Sequence, residues 1–181
     1  MVETGRGSLP FALVHGEPLV AAAAWALGEA GVTLVDLGTP WAALADADEP
    51  LVLHDALCPL TPPAFLAACV EHAAEHEAVT VGVRPVTDTV KELRDGRLGA
   101  TVDRTTLLQV VSPVVLPPAV VAALDGPPSL DFAELVAALA ERFPVRTLEA
   151  PAEARRVHDQ DDLRVLEALT APTQSWPVSD G

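Results

Sequence analysis

Asp55 is the first residue in this chain whose type and place could do chemistry. It follows the apolar run Leu51-Val52-Leu53 and His54, and a turn containing Pro59 comes after it. Such a run reads as a short buried strand, and open α/β sheets bind ligands beyond the carboxyl ends of their strands. A carboxylate there can serve a ligand, or it can simply cap the turn through local backbone bonds. A second group is basic. Lys91, Arg94, Arg97 and Arg104 crowd one segment of an acidic chain. They look placed for anions, although a solvated ribbon has the same pattern. A third is His72-Ala73-Ala74-Glu75-His76, which matches the His-x-x-Glu-His arrangement of some zinc peptidases. A third ligand is not evident, and an exposed polar helix face explains it more simply. No serine, cysteine or threonine sits in a nucleophile elbow. Asp161-Asp162 stands near a helix start, where capping and dipole complementation account for it. Trp25, Trp41 and Trp176 are too scattered to form a stacking platform.

The elements that must position these residues follow from periodicity and punctuation. Apolar runs of strand length alternate with helical patterns, which predicts βα units and a largely parallel sheet. A helix is predicted over Pro18–Ala30, with Gly31 just past its end. Strands are predicted at Val32–Leu37, Leu51–His54, Val79–Val83 and Val145–Leu148. A helix is predicted over Pro62–Glu77, with Thr61 as its N-cap. Ser129 or Asp131 can cap a helix running to Phe143, and Asp159 or Gln160 opens a last one ending near Leu169. Val86–Arg104 breaks the rhythm. Asp95-Gly96 is a hairpin turn signal, and Thr, Val and Leu alternate with charges on either side. An isolated two-stranded ribbon is marginal in water, so this one must pack on its own domain or on another subunit.

Composition sets the outer limits. The chain has 181 residues and a formal charge of −15. That length fits one domain, taken here as residues 1–170 with an arm at about 86–106. The tail at 171–181 carries two prolines and little to bury, which predicts disorder. An acidic surface repels phosphate backbones, so nucleic acid is excluded as a partner, while local arginines still permit a small anion. No apolar run approaches the roughly 20 residues of a membrane span, and no signal peptide is evident. The expectation is a soluble cytoplasmic protein. Cys58 and Cys69 form neither a ligand cluster nor a disulfide framework, and Cys69 reads as helix core.

Five motifs in order give a family resemblance. Leu53-His54-Asp55-Ala56-Leu57-Cys58-Pro59 resembles the Val-His-Asp-Ala-Ala-Arg-Pro stretch of the 2-C-methyl-D-erythritol 4-phosphate cytidylyltransferases. Pro85-Val86-Thr87-Asp88-Thr89-Val90-Lys91 resembles their Pro-Val-x-Asp-Thr-Ile-Lys. Asp103-Arg104 with Ser112-Pro113 is similar to their Asp-Arg…Thr-Pro-Gln. Arg156-Val157 with Asp161-Asp162-Leu163 falls where the family has Lys-Ile-Thr…Glu-Asp-Leu. Leu9-Pro10-Phe11 with Gly16-Glu17-Pro18-Leu19 resembles Pro-Lys…Gly-Lys-Pro-Leu. The resemblance implies a three-layer, Rossmann-like nucleotidyltransferase fold with a mostly parallel sheet and a protruding hairpin arm that pairs two copies. It assigns Asp55 to the divalent metal that bridges the nucleotide phosphates, with Mg2+ and CTP as the cofactor pair if the chain is active. It assigns Thr89, Arg104 and Arg156 to the phosphate of the sugar substrate. Arg156 stands for a lysine, keeping the charge and changing its shape and hydration.

The same resemblance points to losses. Ahead of Leu9 the only glycine-containing stretch is Gly5-Arg6-Gly7-Ser8, where the family has a first strand and a glycine-rich phosphate loop. Phe11 replaces a lysine, Cys58 an arginine and Val114 a glutamine. The segment between Leu37 and Leu51 is too short for the family's cytosine-contacting stretch. The gap left by the first strand is closed either by Phe11–His15 moving in or by a different strand order. The expectation is a divergent member whose CTP-dependent cytidylyl transfer is lost or strongly impaired. Two other readings stay open: an active nucleotidyltransferase rebuilt around Gly5–Ser8, and a non-enzymatic partner of a full-length paralogue.

Overall fold

A computed structural model describes residues 1, 5–36 and 38–171. In chain order the elements are β1 (Leu13–Val14), β2 (Glu17–Pro18), α1 (Leu19–Glu29), α2 (Trp41–Asp46), β3 (Leu51–Leu53), α3 (Pro63–His76) and β4 (Val79–Pro85). There follow β5 (Val90–Arg94), β6 (Arg97–Val102), β7 (Leu108–Leu116), α4 (Pro118–Ala122), α5 (Phe132–Ala140), β8 (Val145–Glu149) and α6 (Gln160–Thr170). The tail expected to be disordered falls almost wholly outside the described residues, as do Leu37 and Trp176.

The central sheet has the order β3-β7-β4-β8. β4 and β8 are parallel, and β7 runs antiparallel to both β3 and β4. Three of the four strands therefore share one direction, with β7 reversed between them. Period-2 alternation distributes β4 between two helical layers. Val79, Val81 and Val83 face the core built with Phe132, Leu135 and Leu139 of α5 and Val120 and Val121 of α4. On the other face Cys69 and Ala73 of α3 pack with Val115, and α1 joins this layer where its Ala26 and Leu27 pack on Leu66 of α3. This is a three-layer α/β arrangement. Among the described residues no helix is long and apolar enough to cross a membrane.

β7 went unpredicted because Pro113 interrupts its apolar run, and proline argues against a central strand. The fold accommodates it at an irregularity. The β4–β7 register shifts between Val81 and Val83, opposite the stretch that contains Pro113, so the missing N–H falls where the ladder is broken. Gly82 fills this gap because a Cβ there would lie 2.9 Å from the Ser112 carbonyl oxygen.

Two expectations need correction, and one of the two alternatives left open for the gap is excluded. Val32–Asp36 forms no strand; Val32 N–H closes α1 on the Leu27 carbonyl, Asp36 turns the chain by accepting the Gly38 and Thr39 N–H groups, and no residue between them joins a ladder. Leu34 and Val35 are left exposed beside β3, around a cavity of about 350 Å³. An apolar run cannot itself reveal whether a partner strand exists. Phe11–His15 does not enter the sheet either. Leu13 and Val14 pair with Glu17 and Pro18 in a separate two-residue ladder, so β3 is an edge. Thr61 does not cap α3; its hydroxyl donates to the Cys58 carbonyl at 2.9 Å, and Pro62 takes the N-cap position. Asp131 and Asp159 do cap α5 and α6, each accepting two backbone N–H bonds.

The hairpin is as expected. Asp95 and Gly96 have φ of 50° and 73°, and Arg94 pairs with Arg97 across the turn. β5 and β6 form their own two-stranded sheet. Leu93 and Leu98 are 71% and 78% exposed on it.

Candidate functional site: a buried carboxylate between two guanidiniums

Asp55 sits two residues beyond β3 and is 2% exposed. Its backbone N–H donates to Ser112 Oγ at 3.0 Å, which ties it to the broken stretch of β7. Its Oδ1 accepts the Leu57 N–H at 3.0 Å, and its carbonyl accepts the Cys58 N–H at 2.9 Å. The turn-capping reading is therefore realised. It does not exhaust the residue. Arg6 Nε lies 3.2 Å from both carboxylate oxygens, and a terminal nitrogen of Arg6 lies 3.1 Å from Oδ2. Arg156 Nε donates to Oδ2 at 3.1 Å. A carboxylate this buried requires such partners, because an unpaired buried charge is costly.

Each arginine is held by backbone. A terminal nitrogen of Arg6 also donates to the Leu130 carbonyl at 2.9 Å. Gly5 and Gly7 on either side have φ of 77° and 63°, a region glycine enters at little cost, so the chain can turn sharply about Arg6. Arg156 follows a single helical turn at Ala152–Ala154. Val157 N–H donates to the Leu57 carbonyl at 2.8 Å, and Arg84 donates to the Pro151 carbonyl at 2.6 Å, which fixes the segment.

A cavity of about 180 Å³ opens on this cluster, lined among others by Arg6, Asp55, Gln109, Asp131, Arg156 and His158. Asp131 is committed to the N-terminus of α5, with Oδ1 at 2.9 Å and 3.1 Å from the Ala133 and Glu134 nitrogens. His158 Nδ1 lies 3.0 Å from Asp162 Oδ2. Asp162 is held below the usual carboxylate range, against the opposing pull of burial, by bonds from His158 and by Arg155.

Beneath the cavity His54 is fully buried, with Nδ1 2.6 Å from Ser112 Oγ. Burial lowers its pKa to about 4, against the opposing pull of Asp55 and the Cys58 carbonyl. The ring is neutral at pH 7. Burial, aided by Asp55, pushes the Cys58 thiol far up, so it is no nucleophile. The Cys69 thiol is pushed up to about 12 by burial, in keeping with its core role.

Of the four residues singled out from the sequence, the fold brings Asp55 and Arg156 together. Thr89 and Arg104 lie exposed at the base of the arm and do not line the cavity. Arg104 donates to the Thr87 carbonyl. Sequence reasoning missed Arg6 and the His54–Ser112 pair. The flanking glycines were the available signal for Arg6, whereas nothing local links His54 to Ser112. His72 and His76 meet edge to face at 4.3 Å, and His72 bonds Thr80. Among the described residues no group of three His, Cys, Asp or Glu side chains could hold a metal ion. The divalent ion that the resemblance assigned to Asp55 does not fit this arrangement, since guanidiniums already engage both carboxylate oxygens.

Comparison with known proteins places the chain in a lineage. The curated 2-C-methyl-D-erythritol 4-phosphate cytidylyltransferase of Frankia casuarinae is 37% identical over 131 residues, covering 70% of this chain and 48% of that protein. The enzyme of that name from Rhodococcus jostii is 34% identical over 132 residues, 70% of this chain and 57% of its own length. The chain thus spans about half the length of the curated relatives it matches. The crystal structure of the cytidylyltransferase from Thermus thermophilus superposes with a TM-score of 0.65 at 25% identity, covering 90% of this chain and 94% of that one. A sequence profile described as IspD, 2-C-methyl-D-erythritol 4-phosphate cytidylyltransferase, matches residues 36–169. With Asp55, the arm and Arg156 all inside that match, the chain belongs to the 2-C-methyl-D-erythritol 4-phosphate cytidylyltransferase family.

Proposed function

We propose that this chain binds a small phosphorylated ligand of the methylerythritol phosphate type, and that cytidylyl transfer from CTP is lost or strongly impaired in it. The observation that carries this reading is the Arg6–Asp55–Arg156 cluster on a cavity of about 180 Å³. Pockets that enclose larger ligands run to about 300–1,000 Å³, so this one suits a phosphate on a short carbon chain better than a nucleoside triphosphate. Catalysis of phosphoryl-type transfer depends on positioning and on neutralising charge as it develops. Here Phe11 is an apolar ring, 65% exposed, where the resemblance puts a lysine. Cys58 is a buried neutral thiol where it puts an arginine. Neither can stabilise charge building up on a leaving pyrophosphate.

The arm supports a second statement, about assembly. Leu93 and Leu98 are exposed on a ribbon that forms its own sheet, and such a ribbon gains stability from a partner surface. The arm pairs two copies of this chain, or this chain with a longer paralogue, and carries Thr89 and Arg104 toward the neighbour's cavity.

Calorimetric titration with methylerythritol phosphate, then with CTP and Mg2+, tests the reading, together with an assay for pyrophosphate release. The expected result is heat with the sugar phosphate, none with CTP and no pyrophosphate. Release of pyrophosphate that depends on CTP would overturn it and restore the chain to active nucleotidyltransferases.

A further inference from the structure

We infer that Arg6 takes the place of a divalent cation on Asp55, so that the cavity binds a phosphomonoester dianion without metal. The inference deepens the functional reading above and rests on it for the ligand class. Arg6 lies outside residues 36–169, the span matched to the family, so its role comes from the geometry of this chain.

The carboxylate is saturated. Asp55 Oδ1 takes the Leu57 N–H and Arg6, and Oδ2 takes Arg6 and Arg156. A magnesium ion needs oxygen ligands at about 2.0–2.1 Å in near-octahedral array. It could reach Asp55 only by expelling a guanidinium that is also anchored to the Leu130 carbonyl. The side chain of Arg6 is 11% exposed, so expulsion would also undo its packing.

The cluster has donors to spare. Arg156 spends only Nε on Asp55, and its two terminal nitrogens have no other partner among the described residues. Arg6 keeps one terminal nitrogen in the same condition. Two guanidiniums against Asp55 leave a unit positive charge on the cluster itself, with both arginines on the cavity wall, and the Asp131 carboxylate on the same wall is the counter-charge that a phosphate must tolerate. Planar donors at the edge of a guanidinium suit phosphate oxygens, and charge-assisted bonds of this kind are the strong ones. Asp131, the carboxylate facing them, has its Oδ1 turned to the α5 backbone. Asp55 thus acts as a positioning residue that orients both guanidiniums.

The experiment uses the full chain with two probes, inorganic phosphate and Mn2+. Phosphate affinity is measured by calorimetry in EDTA and in Mg2+, and Mn2+ binding by the loss of its free-ion electron paramagnetic resonance signal. The wild-type chain is expected to bind phosphate equally in both media and to leave Mn2+ free. Arg6→Ala is expected to bind phosphate about tenfold or more weakly in EDTA, as loss of a charge-assisted donor implies, and to gain a Mn2+ site that restores phosphate binding. Arg6→Lys keeps the charge and is expected to go on excluding Mn2+. Phosphate binding by the wild-type chain that requires Mg2+, or equal Mn2+ binding by wild type and Arg6→Ala, would overturn the inference. So would phosphate binding in neither medium. The wild-type comparison decides the matter even if Arg6→Ala does not fold. Failure of methylerythritol phosphate to bind would sink the functional reading alone, because the Mn2+ comparison does not involve it.

Discussion

At the scale of residues, the charged cluster rests on a neutral one. His54 lies directly behind Asp55, and Ser112 Oγ bonds both, accepting the Asp55 backbone N–H and meeting the imidazole at Nδ1. The imidazole pKa falls from 6.5 to about 4 because burial disfavours the charged ring. The unfolded chain takes up a proton near pH 6.5 that the folded chain refuses until about pH 4. Stability is therefore whole above pH 6.5 and declines as the pH falls through that window, by roughly 3 kcal/mol at its acid end. Urea unfolding midpoints measured from about pH 7.5 to about pH 4.5 check this. The wild-type curve should slope down toward acid, and that of His54→Gln should be flatter. Parallel curves would show that His54 contributes nothing to the slope.

Elements explain how the cluster is aimed. β4 and β7 hold their irregular register at Gly82, where the Ser112 carbonyl oxygen would be 2.9 Å from any Cβ. Backbone on that side cannot yield as a flexible side chain would. Gly82→Ala should cost about 1–3 kcal/mol, the usual range for overpacking, readable in denaturant unfolding. Because Ser112 also receives the Asp55 N–H, the same substitution should weaken phosphate binding in EDTA. Full stability and unchanged binding would mean that the close approach relaxes freely. The sequence announced β4, α5, α6 and the hairpin through alternation, caps and an Asp-Gly turn. It concealed β7 behind Pro113, and it offered Val32–Leu37 as a strand although no neighbour pairs with the described part.

For the whole molecule, the arm stands apart from the central sheet as a two-stranded sheet of its own. Leu93 and Leu98 lie exposed on a separate ribbon, and the proposed assembly through the arm would cover them. If the arm pairs two copies as proposed, Leu93→Lys combined with Leu98→Lys should leave the central sheet intact and convert that dimer to monomers in sedimentation velocity. A wild-type chain that sediments as a monomer at every concentration would rule out the arm as a homodimer contact.

Local order was legible because it depends on neighbours along the chain. Five motifs in the right sequence sufficed for the family, and the superposition on solved relatives agrees with the fold they implied. Asp55 and Arg156 were also named from those motifs, and they lie 101 residues apart in a single ion pair. What only the tertiary structure decided is what surrounds Asp55. Burial removes water from a carboxylate and makes the identity of its cation decisive. Beside Arg156 that cation is Arg6, 49 residues away, delivered by a glycine-flanked segment whose destination no local rule specifies.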